Sequence, residues 1–368
     1  MNTEQTPNVR WIGKIDRNRS DLGLPVVEDT RTRTLYRAEP ESGTYSHHGY
    51  ITSHRDAMFA TWSNHARDED APGQFVRFSL SVEQGRTWRA PEVLFPPRDE
   101  VKSGEEQDNA EDRVLIANGF AELDDTLYAV AEAHVLEERR GLGRLARSIS
   151  AGGSLGPIFW LVEDPPAPKE GFEAYPDAGD PQFAATAAAI NEYLARPQHL
   201  PSWEFLRQTT RPVTPDGNRL CEPTQCWQLE DGTLVRLWRD LSQTTGCQYA
   251  QFSSDGESWD DPIPAEFPDA CSRAAAGTLP DGTAYVINNP GEGRDPLVIS
   301  LAADGLNFDR HAVIAHQAPP RRHEGRWKGI GFQYPRATVL EDTLHVIYSV
   351  NKEDVRVTGI PLEALYAL

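Results

Sequence analysis

Apolar and polar residues alternate in short runs along this chain, and neighbouring runs are joined by tight acidic or glycine turns. Turns such as Asp231-Gly232 and Asp281-Gly282 between two alternating runs are typical of a β-hairpin. The pattern therefore predicts five hairpins. They are ITSHRDAMFATWSN from Ile51, FAELDDTLYAVAEAH from Phe120, CWQLEDGTLVRLWRD from Cys226, GTLPDGTAYVINN from Gly277 and TVLEDTLHVIYSV from Thr338.

The spacing of these hairpins indicates a repeat protein. The turns at Asp125, Asp231 and Asp281 lie about 106 and about 50 residues apart, which fits a repeat of roughly 50 residues with one copy hidden by divergence. A repeat of this length made only of strands predicts an all-β fold, a single β-propeller over residues 1–368. Dividing the chain length by the repeat gives about seven four-stranded antiparallel blades. Closure of the ring requires an N-terminal strand within 11–36 to pair with the C-terminal segment.

One block, residues 140–219, departs from the repeat, so six blades remain an alternative. It contains a glycine-rich stretch, a proline-rich stretch and the alanine-rich FAATAAAINEYLARP, which predicts a short helix. We interpret the block as an elaborated blade whose loops extend over one face of the propeller.

Three segments resemble the turns known as Asp boxes. In such a turn the Ser and acidic side chains bond to the turn backbone, Gly takes a positive φ, and an aromatic ring fills the space between sheets. We expect a structural role for all three. They are Ser81–Trp88, Ser253–Trp259 and Asp304–Phe308.

Composition limits the partners of the protein. The net charge of −20 disfavours nucleic acid, whereas a few converging arginines could still bind an acidic sugar. The four cysteines lack metal-ligand spacing, and no run of about 18 apolar residues suggests a membrane span. We therefore expect a cytoplasmic monomer with no membrane partner, no required cofactor and no catalytic metal. A structural calcium ion is compatible with the abundant carboxylates, although no dedicated loop for it is present.

Histidines are concentrated in one predicted blade, where four of the ten occur between His47 and His65. Histidine is well suited to proton transfer near neutral pH. Because side chains alternate along a strand, at most one of His47 and His48 should meet a substrate. Asn64 and Gln74 lie in the same blade and could donate hydrogen bonds to a sugar.

A second group of polar residues is cationic or carries an amide. Arginines near a propeller axis would be costly to bury unless an anion meets them, and a substrate carboxylate is such an anion. Each arginine followed by aspartate could instead form a structural pair that holds a loop. The group comprises Arg147, Arg239, Arg273, Arg294, Lys328, Asn118, Asn288 and Gln333.

Longer motifs resemble a known family. They are YSHHGY, WSNHARDEDAPGQ, Ala117-Asn118-Gly119, Glu222-Pro223-Thr224, Arg239-Asp240, INNPGEGRDPLVISLAADG and the C-terminal GFQYPRATVLEDTLHVIYSVNKEDVRVTGIPLEAL. The chain resembles the sialidase-like propellers with neuraminidase-type repeats, and within them the seven-bladed enzymes that act on L-rhamnose-α-1,4-D-glucuronate ends.

That resemblance implies β-elimination with His48 as the proton-transfer residue and His47 as a weaker candidate. It also implies that Arg239, and less securely Arg147, binds the uronate carboxylate. Sialidases proper need an arginine triad, a Tyr/Glu pair and an Arg-Ile-Pro segment. No Arg-Ile-Pro occurs here, so sialic acid cleavage is not expected.

The sequence thus predicts a lyase that releases a terminal sugar, rhamnose by preference, from a uronate in an acidic oligosaccharide or polysaccharide. Elimination requires a neutralised carboxylate and a base near pKa 7, and Tyr334 could protonate the departing oxygen. A glycoside hydrolase and a non-catalytic glycan- or protein-binding propeller are the alternatives. The predicted catalytic residues are His48 and Tyr334, and the predicted substrate-binding residues are His47, Asn64, Gln74, Asn118, Arg147, Arg239, Arg294 and Gln333.

Overall fold

A computed structural model describes residues 7–97, 113–135, 140–163, 175–196 and 212–368. Nearly all regular structure in these residues is β. The strands are β1 (Arg10–Trp11), β2 (Arg31–Tyr36), β3 (Tyr45–His54), β4 (Ala57–His65), β5 (Phe75–Ser81), β6 (Glu92–Phe95), β7 (Arg113–Leu123), β8 (Thr126–Val135), β9 (Arg140–Ile149), β10 (Phe159–Glu163), β11 (Leu220–Cys221), β12 (Trp227–Gln228), β13 (Leu234–Asp240), β14 (Cys247–Ser253), β15 (Ile263–Pro268), β16 (Ala275–Thr278), β17 (Ala284–Asn288), β18 (Leu297–Ala302), β19 (Asn307–Phe308), β20 (Arg310–Ala315), β21 (Phe332–Leu340), β22 (Thr343–Val350) and β23 (Asp354–Pro361). The helices are α1 (Ala184–Ala195) and α2 (Leu362–Tyr366).

These strands form five antiparallel sheets, which we number I to V. Sheet I contains β3 to β6, sheet II β7 to β10, and sheet III β11 to β15, with β1 and β19 added in parallel at its edge. Sheet IV contains β16, β17, β18 and β20, and sheet V contains β2, β23, β22 and β21. The architecture is a β-propeller. The described residues account for five sheets, so the blade count of seven or six stays a prediction.

Each predicted hairpin joins two consecutive strands of the same sheet. The turns lie between β3 and β4, β7 and β8, β12 and β13, β16 and β17, and β21 and β22. In sheet V the N-terminal strand β2 pairs with the C-terminal strand β23, from Arg31 opposite Gly359 onward. One sheet therefore joins segments from both ends of the chain.

Apolar side chains fill the space between neighbouring sheets. Phe59 of sheet I packs with Trp160 of sheet II, and Ile299 of sheet IV packs with Val346 of sheet V. Separate clusters join sheet III to sheet IV and sheet I to sheet V. The sheets therefore follow one another in the order III, IV, V, I, II, and each is stabilised mainly by its neighbours.

The predicted helix in the 140–219 block is confirmed as α1. Its buried residues Ala187, Ile190 and Leu194 cover the outer face of sheet II. Residues 164–174 and 197–211 of this block lie outside the described residues. Neither described helix is long and apolar enough to cross a bilayer.

The three Asp-box turns have the hydrogen bonds that the sequence predicts. The Ser253 hydroxyl accepts from the backbone N–H of Gly256 at 2.8 Å, and the Asp255 carboxylate accepts from the N–H groups of Glu257 and Ser258. The indole N–H of Trp259 donates to the Gly256 carbonyl at 3.2 Å. At Ser81 the hydroxyl accepts from the N–H of Gly85, and at Asp304 the carboxylate accepts from the N–H groups of Leu306 and Asn307.

Replacement of Ser253 by Ala should destabilise the protein. The change removes the acceptor for the Gly256 N–H and the donor to the Ser258 carbonyl, so we expect a loss of about 1–2 kcal/mol in the free energy of unfolding. Urea denaturation followed by tryptophan fluorescence measures it. Ser254→Ala, at an exposed position in the same turn, is the control, and equal effects of the two changes would contradict the assigned role.

Candidate active site

The first strands of adjacent sheets lie next to one another, and three of them contain a register shift. Strand β3 contacts β7 and β21, and β21 contacts β16. Register shifts occur between His47 and Tyr50 in β3, between Ala117 and Phe120 in β7, and between Gln333 and Arg336 in β21. A bulge re-aims the side chains of its strand.

Several residues in or next to these strands have strained backbone conformations with a positive φ. His48 has a φ of 54° and Tyr334 a φ of 55°. Glu222, in the break between β11 and β12, has a φ of 51°, and Cys271, just before β16, has a φ of 53°. Positive φ at such residues costs energy and is often found at functional sites. The irregular ends of the inner strands therefore define the candidate site.

Tyr334 lies at the centre of this site, surrounded by guanidinium groups. Arg239 Nη1 donates to the Tyr334 hydroxyl at 3.0 Å. The guanidinium carbons of Arg273, Arg294 and Arg239 lie 4.6, 5.3 and 6.0 Å from the centre of the Tyr334 ring. Three arginines from different parts of the chain therefore converge on one phenol.

The carboxylate of Glu222 holds two of these arginines. Its Oε2 accepts from Arg239 Nη1 at 2.5 Å and its Oε1 accepts from Arg273 Nη2 at 3.1 Å. Burial alone would raise the pKa of Glu222, but the charges and hydrogen bonds of Arg273 and Arg239 outweigh it and lower that pKa to about 2. Glu222 is therefore an anion at every physiological pH, and it shares Arg239 Nη1 with the Tyr334 hydroxyl.

Two histidines and a glutamate lie on another side of Tyr334. The His47 and His48 rings are 4.1 and 5.7 Å from the Tyr334 ring, measured between centroids. Glu69 Oε1 is 3.5 Å from His48 Nε2 and 3.9 Å from His47 Nε2, while Glu69 Oε2 accepts from Lys352 Nζ. His47 Nδ1 is 2.7 Å from the Ser349 hydroxyl, which fixes its ring.

Both histidines are neutral at pH 7. Burial is the main cause that lowers the pKa of His47 well below 6.5, followed by the charge of Lys352. Burial and then the charges of Arg273 and Lys352 do the same for His48. The bulge at His48 interrupts the alternation of side chains along β3, and both rings lie beside Tyr334, while contact of only one of them with a substrate stays a prediction.

Two amide residues complete the site. Gln333 Oε1 accepts from Arg294 Nη1 at 2.5 Å, and its Nε2 donates to the Gly329 carbonyl at 2.7 Å. Asn118, in the bulge of β7, is buried, and neither of its amide atoms has a hydrogen-bond partner among the described residues. An unsatisfied buried amide is suited to a ligand or a water molecule.

Three residues predicted to bind substrate instead make structural contacts. Asn64 donates to the Tyr45 carbonyl and accepts from Arg77 Nε, both within sheet I or its turns. Gln74 donates to the Leu115 carbonyl and thereby links sheet I to sheet II. Arg147 donates to the carbonyls of Gly156 and Leu94. We do not include these three in the candidate site, and their predicted roles stay untested.

Sequence reasoning did not select four residues that the structure brings to the site, Glu69, Glu222, Arg273 and Lys352. Arg273 belonged to the cationic group, and Glu222 to a family motif, but neither received a role. A usable signal for Glu222 was the Glu-Pro step between two short strand-like pieces, which indicates a broken inner strand. Glu69 and Lys352 had no comparable signal.

The site carries excess positive charge. Arg239, Arg273, Arg294 and Lys352 face two carboxylates, those of Glu222 and Glu69. A third carboxyl nearby belongs to Asp269, and burial raises its pKa to about 7, so it is only partly ionised at neutral pH. In the described part of the chain, Arg294 has no carboxylate within ion-pair distance. At least one positive charge remains for an anionic ligand.

Two groups of side chains have metal-ligand character. His47, His48 and Glu69 offer ligand atoms within 4.8 Å of one another, as do His54, Glu122 and Asp125. In the first group Lys352 already occupies Glu69, and in the second Arg55 pairs with Asp125 at 2.6 Å. The positive charges of Lys352 and Arg55 would repel a metal ion at these positions. Neither group is the oxygen-rich set that calcium prefers, and the predicted structural calcium stays untested.

The repeated antiparallel sheets and the Asp-box turns define a β-propeller. A family model described as BNR repeat-like domain matches residues 192–346. The model of BT_1020-like, N-terminal beta propellers matches residues 25–208, which is half of the chain. The protein therefore belongs to the family of BT_1020-like beta propellers with BNR repeats. The narrower assignment to rhamnose-glucuronate enzymes is not shown.

Solved structures support the same fold. A protein titled "Sialidase" superposes with a TM-score of 0.78 at 24% identity, over 96% of this chain and 35% of its own. A leech intramolecular trans-sialidase gives a TM-score of 0.57 at 10% identity, with 92% and 71% of the two chains covered. Trypanosoma rangeli sialidase gives 0.56 at 11%, with 94% and 61% covered. No curated protein sequence matches the chain.

At these identities the solved structures establish the fold alone. The chain spans about a third of the length of the first sialidase.

Replacement of Glu222 by Gln should destabilise the protein in a pH-dependent way. At pH 7 the two buried arginines lose their counter-ion, and we expect a loss of about 3 kcal/mol. The pKa of Glu222 is lower in the folded state, about 2, than in the unfolded state. Its stabilising effect is therefore complete above about pH 4.5 and is lost as the pH falls toward 2.

Denaturation curves at pH 7 and at stepwise lower pH test this expectation. The gap between wild type and Glu222→Gln should be constant near neutrality and should narrow below about pH 4.5. Glu257→Gln, at an exposed position, should show no such gap. A gap that stays constant down to the lowest usable pH would contradict the role of the Glu222 charge.

Proposed function

We propose that the protein is a glycoside hydrolase that releases a terminal sugar whose carboxylate is attached to the anomeric carbon, that is, a ulosonic acid. One observation carries the proposal: Tyr334 and Glu222 both bond to Arg239 Nη1, within a group of three guanidiniums. This arrangement combines an activated nucleophile with an anion-binding site at the same place.

Tyr334 is the proposed nucleophile. A carboxylate on the anomeric carbon would repel an anionic Asp or Glu nucleophile, whereas a neutral phenol can approach. A tyrosine nucleophile is a known exception to the usual pair of carboxylates in glycosidases. Glu222 is ionised, and it accepts a hydrogen bond from the same Arg239 Nη1 as the phenol does. It is the proposed acceptor of the phenolic proton as the oxygen attacks.

Arg239 and Arg294 are the proposed ligands of the substrate carboxylate. Both side chains are partly exposed, whereas Arg273 is almost completely buried and shares the Glu222 carboxylate with Arg239. The guanidiniums surround the Tyr334 ring itself. A carboxylate bound by them would therefore lie close to the carbon that the phenol attacks, which favours a ulosonic acid over a uronic acid.

His48 and Glu69 are the groups proposed to transfer the proton to the leaving oxygen. They are 3.5 Å apart, and Lys352 anchors the second oxygen of Glu69. A proton shared by this pair could pass to the glycosidic oxygen while Tyr334 bonds to the anomeric carbon. Water would then release the sugar from Tyr334, with the same pair acting as base.

The second candidate is the uronate lyase predicted from the sequence, because one feature favours it. His47 and His48 are neutral at pH 7 and lie among cations, as a base that removes a proton next to a carboxylate requires. The likeness to sialidases in fold favours the hydrolase. The two reactions differ in product, since elimination leaves an ultraviolet-absorbing double bond and hydrolysis does not.

Replacement of Tyr334 by Phe should abolish hydrolysis but not binding. We expect kcat on the best substrate to fall by at least about 10³-fold, because the attacking oxygen is lost. The assay uses 4-methylumbelliferyl glycosides of sialic acid, 3-deoxy-D-manno-octulosonic acid and glucuronic acid, with the glucoside and rhamnoside as neutral controls. Tyr285→Phe, a buried tyrosine of sheet IV, is the matched control variant.

The outcomes of that assay separate the candidates. Turnover of a ulosonic acid glycoside that requires Tyr334 supports the proposal. Release of rhamnose from a rhamnosyl-glucuronate disaccharide with rising ultraviolet absorbance would establish the lyase. Binding of acidic sugars in calorimetry without turnover of any substrate would leave the binding propeller as the answer.

The pH dependence of kcat should also distinguish the reactions. A hydrolase needs protonated His48, and burial and the charges of Arg273 and Lys352 lower the pKa of His48, so kcat should rise as the pH falls below 7. A lyase needs neutral His48, whose lowered pKa keeps it neutral near pH 7, so kcat should be flat there and fall only in acid. His48→Asn, which tolerates the positive φ, should lower kcat strongly in either case.

A further inference from the structure

The loop before Tyr334 exposes an aromatic side chain near the candidate site. Trp327 is 51% exposed, although large apolar side chains are usually covered in this protein. The guanidinium of Arg326 lies 4.7 Å from the centre of the Trp327 ring. An exposed indole next to an active site is suited to bind the apolar face of a sugar ring.

The backbone of this loop is fixed to the His48–Glu69 side of the site. The Asp68 carboxylate accepts from the N–H groups of Arg326 and Trp327, the second at 3.2 Å. The same carboxylate accepts from the N–H of Glu69 at 2.9 Å. Trp327 and Glu69 therefore share one side chain as their backbone anchor, so the backbones of these two residues lie close together.

Further contacts hold the loop in place on both sides of Trp327. Lys328 Nζ is buried and donates to the Thr44 carbonyl at 2.9 Å. At the end of the loop, the N–H of Phe332 donates to the Arg294 carbonyl at 2.7 Å. Gly331 has a φ of 129°, and a Cβ there would lie 2.3 Å from the Arg294 carbonyl oxygen. The loop thus connects Arg294 with the residues beside Glu69.

We propose that Trp327 forms the subsite for the leaving group, a neutral sugar whose ring stacks on the indole. The inference rests on the proposed function, which places the acidic sugar at Arg239 and Arg294 and the leaving oxygen at His48 and Glu69. The sugar beyond that oxygen then lies on the Asp68 side of the site, where Trp327 is exposed. A rigid loop lowers the entropy cost of binding there.

The test compares two substrates that differ only in the leaving group. These are the methyl glycoside and the lactose-linked glycoside of the acidic sugar that the enzyme hydrolyses fastest. Trp327→Ala should lower kcat/KM for the lactose-linked substrate about tenfold and leave the methyl glycoside nearly unchanged. Trp327→Phe should restore most of the loss. Tyr366→Ala, which removes an aromatic side chain 40% exposed on α2, is the control.

Equal effects of Trp327→Ala on both substrates, or no effect on either, would overturn the proposal. A separate measurement does not depend on hydrolysis. Saturation-transfer NMR of lactose and cellobiose should detect binding to wild type and much weaker binding to Trp327→Ala. If no acidic glycoside is hydrolysed, the proposed function fails while this measurement still decides the role of Trp327. Equal transfer to both proteins would contradict the subsite.

Discussion

The candidate site depends on the bridge that one carboxylate makes between two arginines. Glu222 belongs to sheet III, as does Arg239, whereas Arg273 leads into sheet IV. A guanidinium as buried as that of Arg273 would be costly without a counter-ion. Because each oxygen of Glu222 binds a different arginine, the bridge also fixes where sheets III and IV meet. Tyr334 of sheet V is held against this bridge through Arg239.

The bridge explains why an incomplete charge balance is tolerated. One carboxylate neutralises only one of the two guanidinium charges that it binds, so one positive charge remains beside the Tyr334 ring. Arg294 is another cation, and its guanidinium donates a hydrogen bond to the amide oxygen of Gln333. An amide orients a guanidinium without neutralising its charge. The anionic substrate proposed above would supply the missing charge.

Local chemistry made the fold predictable from the sequence. A hairpin such as Gly277–Asn289 needs only alternation and an Asp-Gly turn, and the Ser253 turn needs only residues within seven positions of one another. The site was partly predictable for the same reason. The histidine cluster around His48 and the Arg-Asp steps at Arg239 and Arg294 are local signals. The role of His48, however, came from the family resemblance, and Tyr334 was selected only as a possible proton donor.

The partners of those residues could not be predicted, because they are distant in the sequence. Glu69 contacts Lys352 across 283 positions, and Glu222 contacts Arg273 across 51. Among 56 acidic residues, no local feature marks Glu69 as different from its neighbours. Asn64 and Gln74 show the opposite situation, and their predicted substrate contacts stay predictions. Their local sequence fits a polar site, but their amides are taken up by the backbone of the same and the adjacent sheet.

The overall charge and the local charge of the protein act at different distances. Surface charges farther apart than about 8 Å are largely screened at physiological salt, whereas the arginines lie within about 6 Å of the Tyr334 ring. The anionic sugar proposed as the substrate would therefore meet mainly guanidiniums at the candidate site. A polyanionic chain lying across the surface would also meet the acidic residues that give the net charge of −20. This difference favours recognition of one terminal acidic residue over recognition of an anionic polymer along its length.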